Sequence, residues 1–155
     1  MSKNVKIIVS WAAVLLWMLF IFKMSSQVAI ESNDLSLGIT GLLYKLMDGF
    51  IRFNQAAVNH IVRKGAHFTA YLLLGILTLN ALSSIGITKY RKVIIAFSIC
   101  VLYAISDEIH QLFVPGRSGQ PGDVLIDSLG AGVGIAIHLL IELFFKSKKI
   151  KKART

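Results

Sequence analysis

Asp107, Glu108, His110, Arg117, Asp123 and Asp127 fall within about twenty residues of a chain that is otherwise largely apolar. Carboxylates and imidazoles relay protons, act as nucleophiles or hold cations, and a guanidinium grips phosphate or carboxylate through paired N–H donors. A second set precedes them. Lys64, His67 and Tyr71 are separated by three and four residues, so a helix places them on one face. The same spacing puts Tyr103, Asp107, His110 and Gln111 on a common face, with Glu108 at its edge. Asp123 fits the N-cap of a helix and Asp127 lies one turn on, where both also gain from the helix dipole. Asp127, Asp123, His67, His110 and Glu108 are therefore the candidates for any catalytic role. The histidines and acids are acceptable metal ligands, but no strong metal spacing such as H-E-x-x-H occurs. No metal is assigned on this basis, and nothing in the sequence requires a cofactor. Ser118 lacks the G-x-S-x-G surroundings of a hydrolase nucleophile.

These residues need elements to carry them, and composition says which. The 155 residues are 55% hydrophobic and 16% charged, with mean hydropathy +0.67, far more apolar than a soluble domain. Four apolar runs are long enough to cross a bilayer core of about 30 Å as helices. They cover 5–22, 66–82, 93–113 and 124–145, which predicts a single all-α domain: a compact bundle of four transmembrane helices. No clean cleavage site follows the first run, so it is read as an uncleaved span. Between spans one and two, Leu42, Leu43, Leu46, Met47, Phe50 and Phe53 recur at helical spacing, predicting an amphipathic helix on the outer surface. The turn from Pro115 to Gly122 holds both prolines and makes spans three and four antiparallel neighbours, with Arg117 held near Asp107, Glu108, Asp123 and Asp127. Further along span four, Gly130 and Gly134 form a small-xxx-small face for close helix approach. Cys100, Trp11 and Trp17 read as packing residues, His60 as a solvated one, and His138 as a structural partner for Glu142 one turn away.

The net charge of +9 resembles that of a nucleic-acid binder, but its distribution does not. With both termini inside, eleven basic residues lie on the inner side, six of them in the tail 146–155, against six on the outer side. Seven of the eight acids then lie outside. The positive-inside rule thus predicts an N-in, C-in protein, with a basic cytoplasmic tail that anchors to anionic lipid and no role for nucleic acid. All the polar sets above then meet at the outer end.

The "SSQ" of Ser25 to Gln27, the "RKGAHFTAYLLLGIL" of span two and the "SDEIHQLFVPGRSGQPGDVLIDSLGAGVG" block together resemble the VanZ-like family, from about residue 14 to 142. The positions that match its pattern are Ser26, Gln27, Lys64, His67, Tyr71, Asp107, Glu108, Gln111, Arg117, Asp123 and Asp127. The resemblance implies a multi-pass protein of the bacterial cytoplasmic membrane. It also implies a part in lowered susceptibility to teicoplanin, a lipid-bearing glycopeptide. It does not supply a mechanism.

Three functions stay open at this point. The first is an outward-facing pocket that binds a lipid-linked envelope component, such as a cell-wall precursor, or the lipoglycopeptide itself, with Arg117 and Lys64 gripping an anionic group. The second is an enzyme acting on a lipid phosphate or glycan at the outer leaflet. Arg117, Asp123 and Asp127 match the spacing R-x(5)-H-x(3)-D of type 2 phosphatidic-acid phosphatases, except that Asp123 takes the place of the nucleophilic histidine. The third is a small transporter, against which stands the concentration of polar residues at one end.

Overall fold

The computed structural model describes residues 2–27, 37–39, 41–42, 55–117 and 119–152. Four long helices dominate these residues, and no strand occurs among them. They are α1 (Lys3–Ser25), α2 (Gln55–Ile85), α3 (Lys89–Gln111) and α4 (Pro121–Lys152). All four are long and apolar enough to cross a membrane.

The helices overrun the apolar runs at both ends of the bundle, most of all at the start of α2. Backbone hydrogen bonding does not stop where side chains become charged, so α2 begins well before Ala66 and carries Arg63 and Lys64 in regular helix. α3 stops at Gln111, two residues short of Phe113, which lies exposed in the following turn. Helix α4 starts at Pro121, a residue whose fixed φ and missing N–H suit the first helical position. Asp123 consequently sits inside the first turn and is not the N-cap expected above. Gly86, at φ 87°, takes the left-handed conformation that lets α2 turn directly into α3. The proposed amphipathic helix falls almost wholly on 43–53, outside the described residues, as does Ser118.

The most extensive packing joins α2 and α4, which both start at the same end of the bundle and run in the same direction. Glycine makes this possible. A Cβ on Gly130 would run into the carbonyl group of Phe68, one on Gly134 into that of Leu72, and one on Gly75 into that of Ala131. The two backbones therefore touch with no side chain between them. Around this seam Tyr71, Leu74, Cys100, Ala104 and Ala131 are buried with Val14 and Ile21 of α1. Trp17 packs on this cluster and donates from Nε1 to the Ala70 carbonyl at 2.9 Å, so its role is packing, as is that of Cys100.

Many large apolar side chains face outward, among them Ile8, Leu16, Leu19, Ile94, Leu102, Leu125, Leu129 and Leu140. Such a surface suits lipid contact and would be a liability in water. At the end opposite the polar sets, buried Lys92 of α3 reaches Glu142 of α4 at 2.9 Å and Ser83 of α2 at 3.0 Å. Glu142 thus pairs with Lys92, with Lys146 at 3.9 Å, whereas the imidazole Nδ1 of His138 has no hydrogen-bond partner. The expected His138–Glu142 pair is replaced because Lys92 brings a full charge from the neighbouring helix.

Candidate functional site

At the other end meet the C-termini of α1 and α3 and the N-termini of α2 and α4, and the expected polar residues do gather there. They divide into three groups with different work.

The first group ties α2 to α4. Lys64 forms an ion pair with Asp123, and three residues further along α2 His67 Nδ1 faces Asp127 Oδ1 at 3.5 Å. The two helices run parallel, so residues three apart on α2 meet residues four apart on α4 in the same order. Asp127 is fully buried and Asp123 nearly so. The ladder sits directly above the glycine seam, which brings the backbones close enough for such short side chains to reach.

The second group shapes the ends of α1 and α3 and the turn before α4. Ser26 Oγ donates to the Phe22 carbonyl at 2.7 Å and lies 3.0 Å from His110 Nε2, and the His110 ring tilts against Phe22. His110 is therefore turned toward α1. Buried Glu108 accepts a hydrogen bond from the Gln120 backbone N–H at 2.7 Å. Gln111, three residues further along α3, is also buried, and its Nε2 has no partner. Arg117 lines the same cavity as Asp107, as expected, but its hydrogen bonds go to backbone. Its Nε donates to the Gln27 carbonyl at 3.0 Å and its Nη2 to the Met24 carbonyl at 3.4 Å. The guanidinium ties the turn to the end of α1 and forms no direct ion pair with Asp107 or Asp127. A carbonyl oxygen has two lone pairs, so the Met24 oxygen, which also accepts from the Gln27 N–H at 3.4 Å, can take the guanidinium as well. Burial, and then the nearby Arg63, hold the Arg117 guanidinium below its ordinary value, although a guanidinium remains charged at any physiological pH.

The third group lines a cavity of about 250 Å³ between α1 and α2. Phe20, Ile21, Ala66 and Ala70 supply apolar walls, and Ser25, Gln27, Arg63, His67, Tyr71, Asp107 and Arg117 supply polar ones. His67, Asp107 and Asp127 converge most tightly, offering one ligand atom each, all within 4.8 Å of one another. Asp107 and Asp127 are both buried. Asp127 lies behind His67 and does not itself line the cavity, nor do Ser26, Lys64, Glu108, His110, Gln111 and Asp123.

Two of the polar cavity residues were not among the sequence candidates. Ser25 is buried at the cavity, while its neighbour Ser26, the candidate, points out toward His110. One residue on a helix turns a side chain by about 100°, and spacing alone does not say which serine faces in. Arg63 is the other, and its signal was its position next to Lys64.

Four helices long and apolar enough to span a membrane, with a buried polar cluster at one end, define the class: a multi-pass membrane protein. The sequence profile of the VanZ/LLP1 family matches residues 10–142, most of the chain, and the protein belongs to that family. No curated protein and no solved structure matches the chain.

Proposed function

We propose that this protein is a multi-pass component of the bacterial cytoplasmic membrane. Its polar end faces outward, and its cavity binds the anionic head of a lipid-linked envelope component. A lipid-bearing glycopeptide of the teicoplanin kind is the alternative occupant, and lowered susceptibility to it would follow from either.

The cavity carries this reading. Its apolar wall of Phe20, Ile21, Ala66 and Ala70 suits an acyl or prenyl chain, and two guanidinium groups, Arg63 and Arg117, stand on its polar side. Arg117 spends two of its five N–H donors on backbone carbonyls, which fixes its position and leaves donors for a phosphate or carboxylate.

An enzymatic reading has one favouring observation. His67 is held against a buried carboxylate, Asp127, and also lines the cavity, the arrangement in which an imidazole is oriented for proton transfer. The phosphatase-like spacing gains no support, since Asp123 pairs with Lys64 and lies away from the cavity.

Purified protein in lipid nanodiscs should bind polyprenyl phosphate, lipid II or teicoplanin, and Arg117→Gln should weaken that binding by at least about tenfold, the loss of one charge-assisted contact. Equal affinity in Arg63→Gln, Arg117→Gln and wild type for all three probes would refute the proposal. Turnover of a probe by wild type, abolished in His67→Gln, would establish the enzymatic reading.

A further inference from the structure

We propose that His67, Asp107 and Asp127 form a binding site for one divalent transition-metal ion, and that zinc is the ion they fit. The inference concerns this chain's own side chains and holds whichever ligand occupies the cavity.

The starting point is two buried carboxylates close together without a lysine or arginine ion-pair partner among the described residues. Asp127 is fully buried and Asp107 nearly so, and their side chains approach to less than 5 Å. Among the described residues, no lysine or arginine forms an ion pair with either. Lys64 is engaged by Asp123 and Arg117 by backbone carbonyls. Among the described residues, His67 faces Asp127 at 3.5 Å, a long contact at the outer limit of a hydrogen bond.

The second observation is independent of charge. Both carboxylate oxygens of Asp107 and both of Asp127 are shielded from solvent with no hydrogen-bond partner. The Ser25 hydroxyl neighbours Asp107 without completing a hydrogen bond of normal geometry, and the Tyr71 hydroxyl is likewise unpartnered. Buried polar groups are almost always satisfied, and a cluster of six orphaned oxygens calls for a shared partner. Two like charges at this separation in a low-dielectric setting repel strongly. A cation bound between them answers the charge and the missing contacts together.

The donor set selects the ion. Calcium and magnesium favour all-oxygen shells, whereas one imidazole nitrogen with two carboxylates suits zinc and its neighbours in the first transition row. Tetrahedral zinc with bonds near 2.1 Å needs ligand atoms about 3.4 Å apart. The His67–Asp127 separation is already 3.5 Å, and all three ligand atoms lie within 4.8 Å, so small side-chain rotations close the site. Three protein ligands leave a fourth position open, and His67 and Asp107 both line the cavity toward which it would face.

The test is metal content and zinc affinity of the purified full chain in detergent, with zinc as the probe. Wild type should bind one zinc per chain. Asp107→Asn and Asp127→Asn should each weaken binding by more than about 100-fold, beyond the loss expected from an outer partner. His60→Ala and His138→Ala should bind zinc as wild type does. Wild type that binds no zinc, or an Asp107→Asn, Asp127→Asn double variant that still binds one, would overturn the proposal. If the variants fail to fold, wild type alone decides. Its zinc X-ray absorption spectrum should show a histidine nitrogen with carboxylate oxygens, and a first shell without histidine would overturn the site.

Discussion

Replacing Gly130 or Gly134 by alanine sets two opposed physical effects against each other. In an isolated helix, Gly→Ala stabilises by about 1 kcal/mol, because alanine loses less backbone entropy. At these two positions α2 lies in the way. A Cβ on Gly130 would sit 3.1 Å from the Phe68 carbonyl carbon and 3.2 Å from its Cα. On Gly134 the corresponding atoms of Leu72 lie at 2.9 and 3.2 Å. Carbon contacts settle near 3.5–4.0 Å, so α2 and α4 must part by at least about 0.5 Å, and backbone cannot rotate aside as a side chain can. Overpacking of this kind costs about 1–3 kcal/mol. Gly130→Ala and Gly134→Ala should each end up destabilised, by up to about 2 kcal/mol after the helix gain is subtracted. Gly132, on the same helix, provides the contrast. Its added Cβ would meet only a Phe97 ring carbon at 3.7 Å, an ordinary contact. Gly132→Ala should therefore stabilise by up to about 1 kcal/mol. Reversible unfolding in mixed micelles, followed by helical circular dichroism, reads all three. If Gly130→Ala and Gly134→Ala stabilise as Gly132→Ala does, the glycine seam does not hold α2 against α4. The functional consequence is direct, since the same parting of helices lengthens the 3.5 Å His67–Asp127 approach.

Two further outcomes follow from the same end of the bundle. Lys64→Met strands the nearly buried Asp123 carboxylate and should destabilise by about 1–3 kcal/mol, discounted from a fully buried pair because the Lys64 side chain is one-fifth exposed. The double variant Lys64→Met, Asp123→Leu should recover most of that loss in the same unfolding assay, and a double variant no more stable than Lys64→Met would argue against the pair. In a Cys100→Ala background, a membrane-impermeant maleimide added to intact cells should label Gly116→Cys and spare Ser2→Cys. The reverse pattern would overturn the N-in, C-in orientation.

Much of this molecule was legible in its residues. The apolar runs marked four spanning helices because a bilayer core demands about twenty apolar residues per crossing, and that requirement is written in one dimension. Helical spacing put Lys64, His67 and Tyr71 on one face, and Asp123 and Asp127 on another, and Gly130 with Gly134 announced a close helix contact. Family membership followed from the same stretches. Partner choice was not legible. Arg117 was expected among the acids and does line the cavity with Asp107, but its hydrogen bonds go to the Met24 and Gln27 carbonyls at the end of α1. Glu142 was matched with His138 on its own helix, yet Lys92 arrives from α3. Ser26 matched a pattern, while Ser25 faces the cavity. His67, Asp107 and Asp127 were expected at the same end, but they stand on three different helices, and only the packing brings their ligand atoms within 4.8 Å of one another. Hydropathy and periodicity are properties of a chain's order and are settled by the sequence alone. Which charge meets which is a property of how helices rotate and approach one another. Here that was decided by backbone contact at the glycines, which exists only once α2 and α4 have packed.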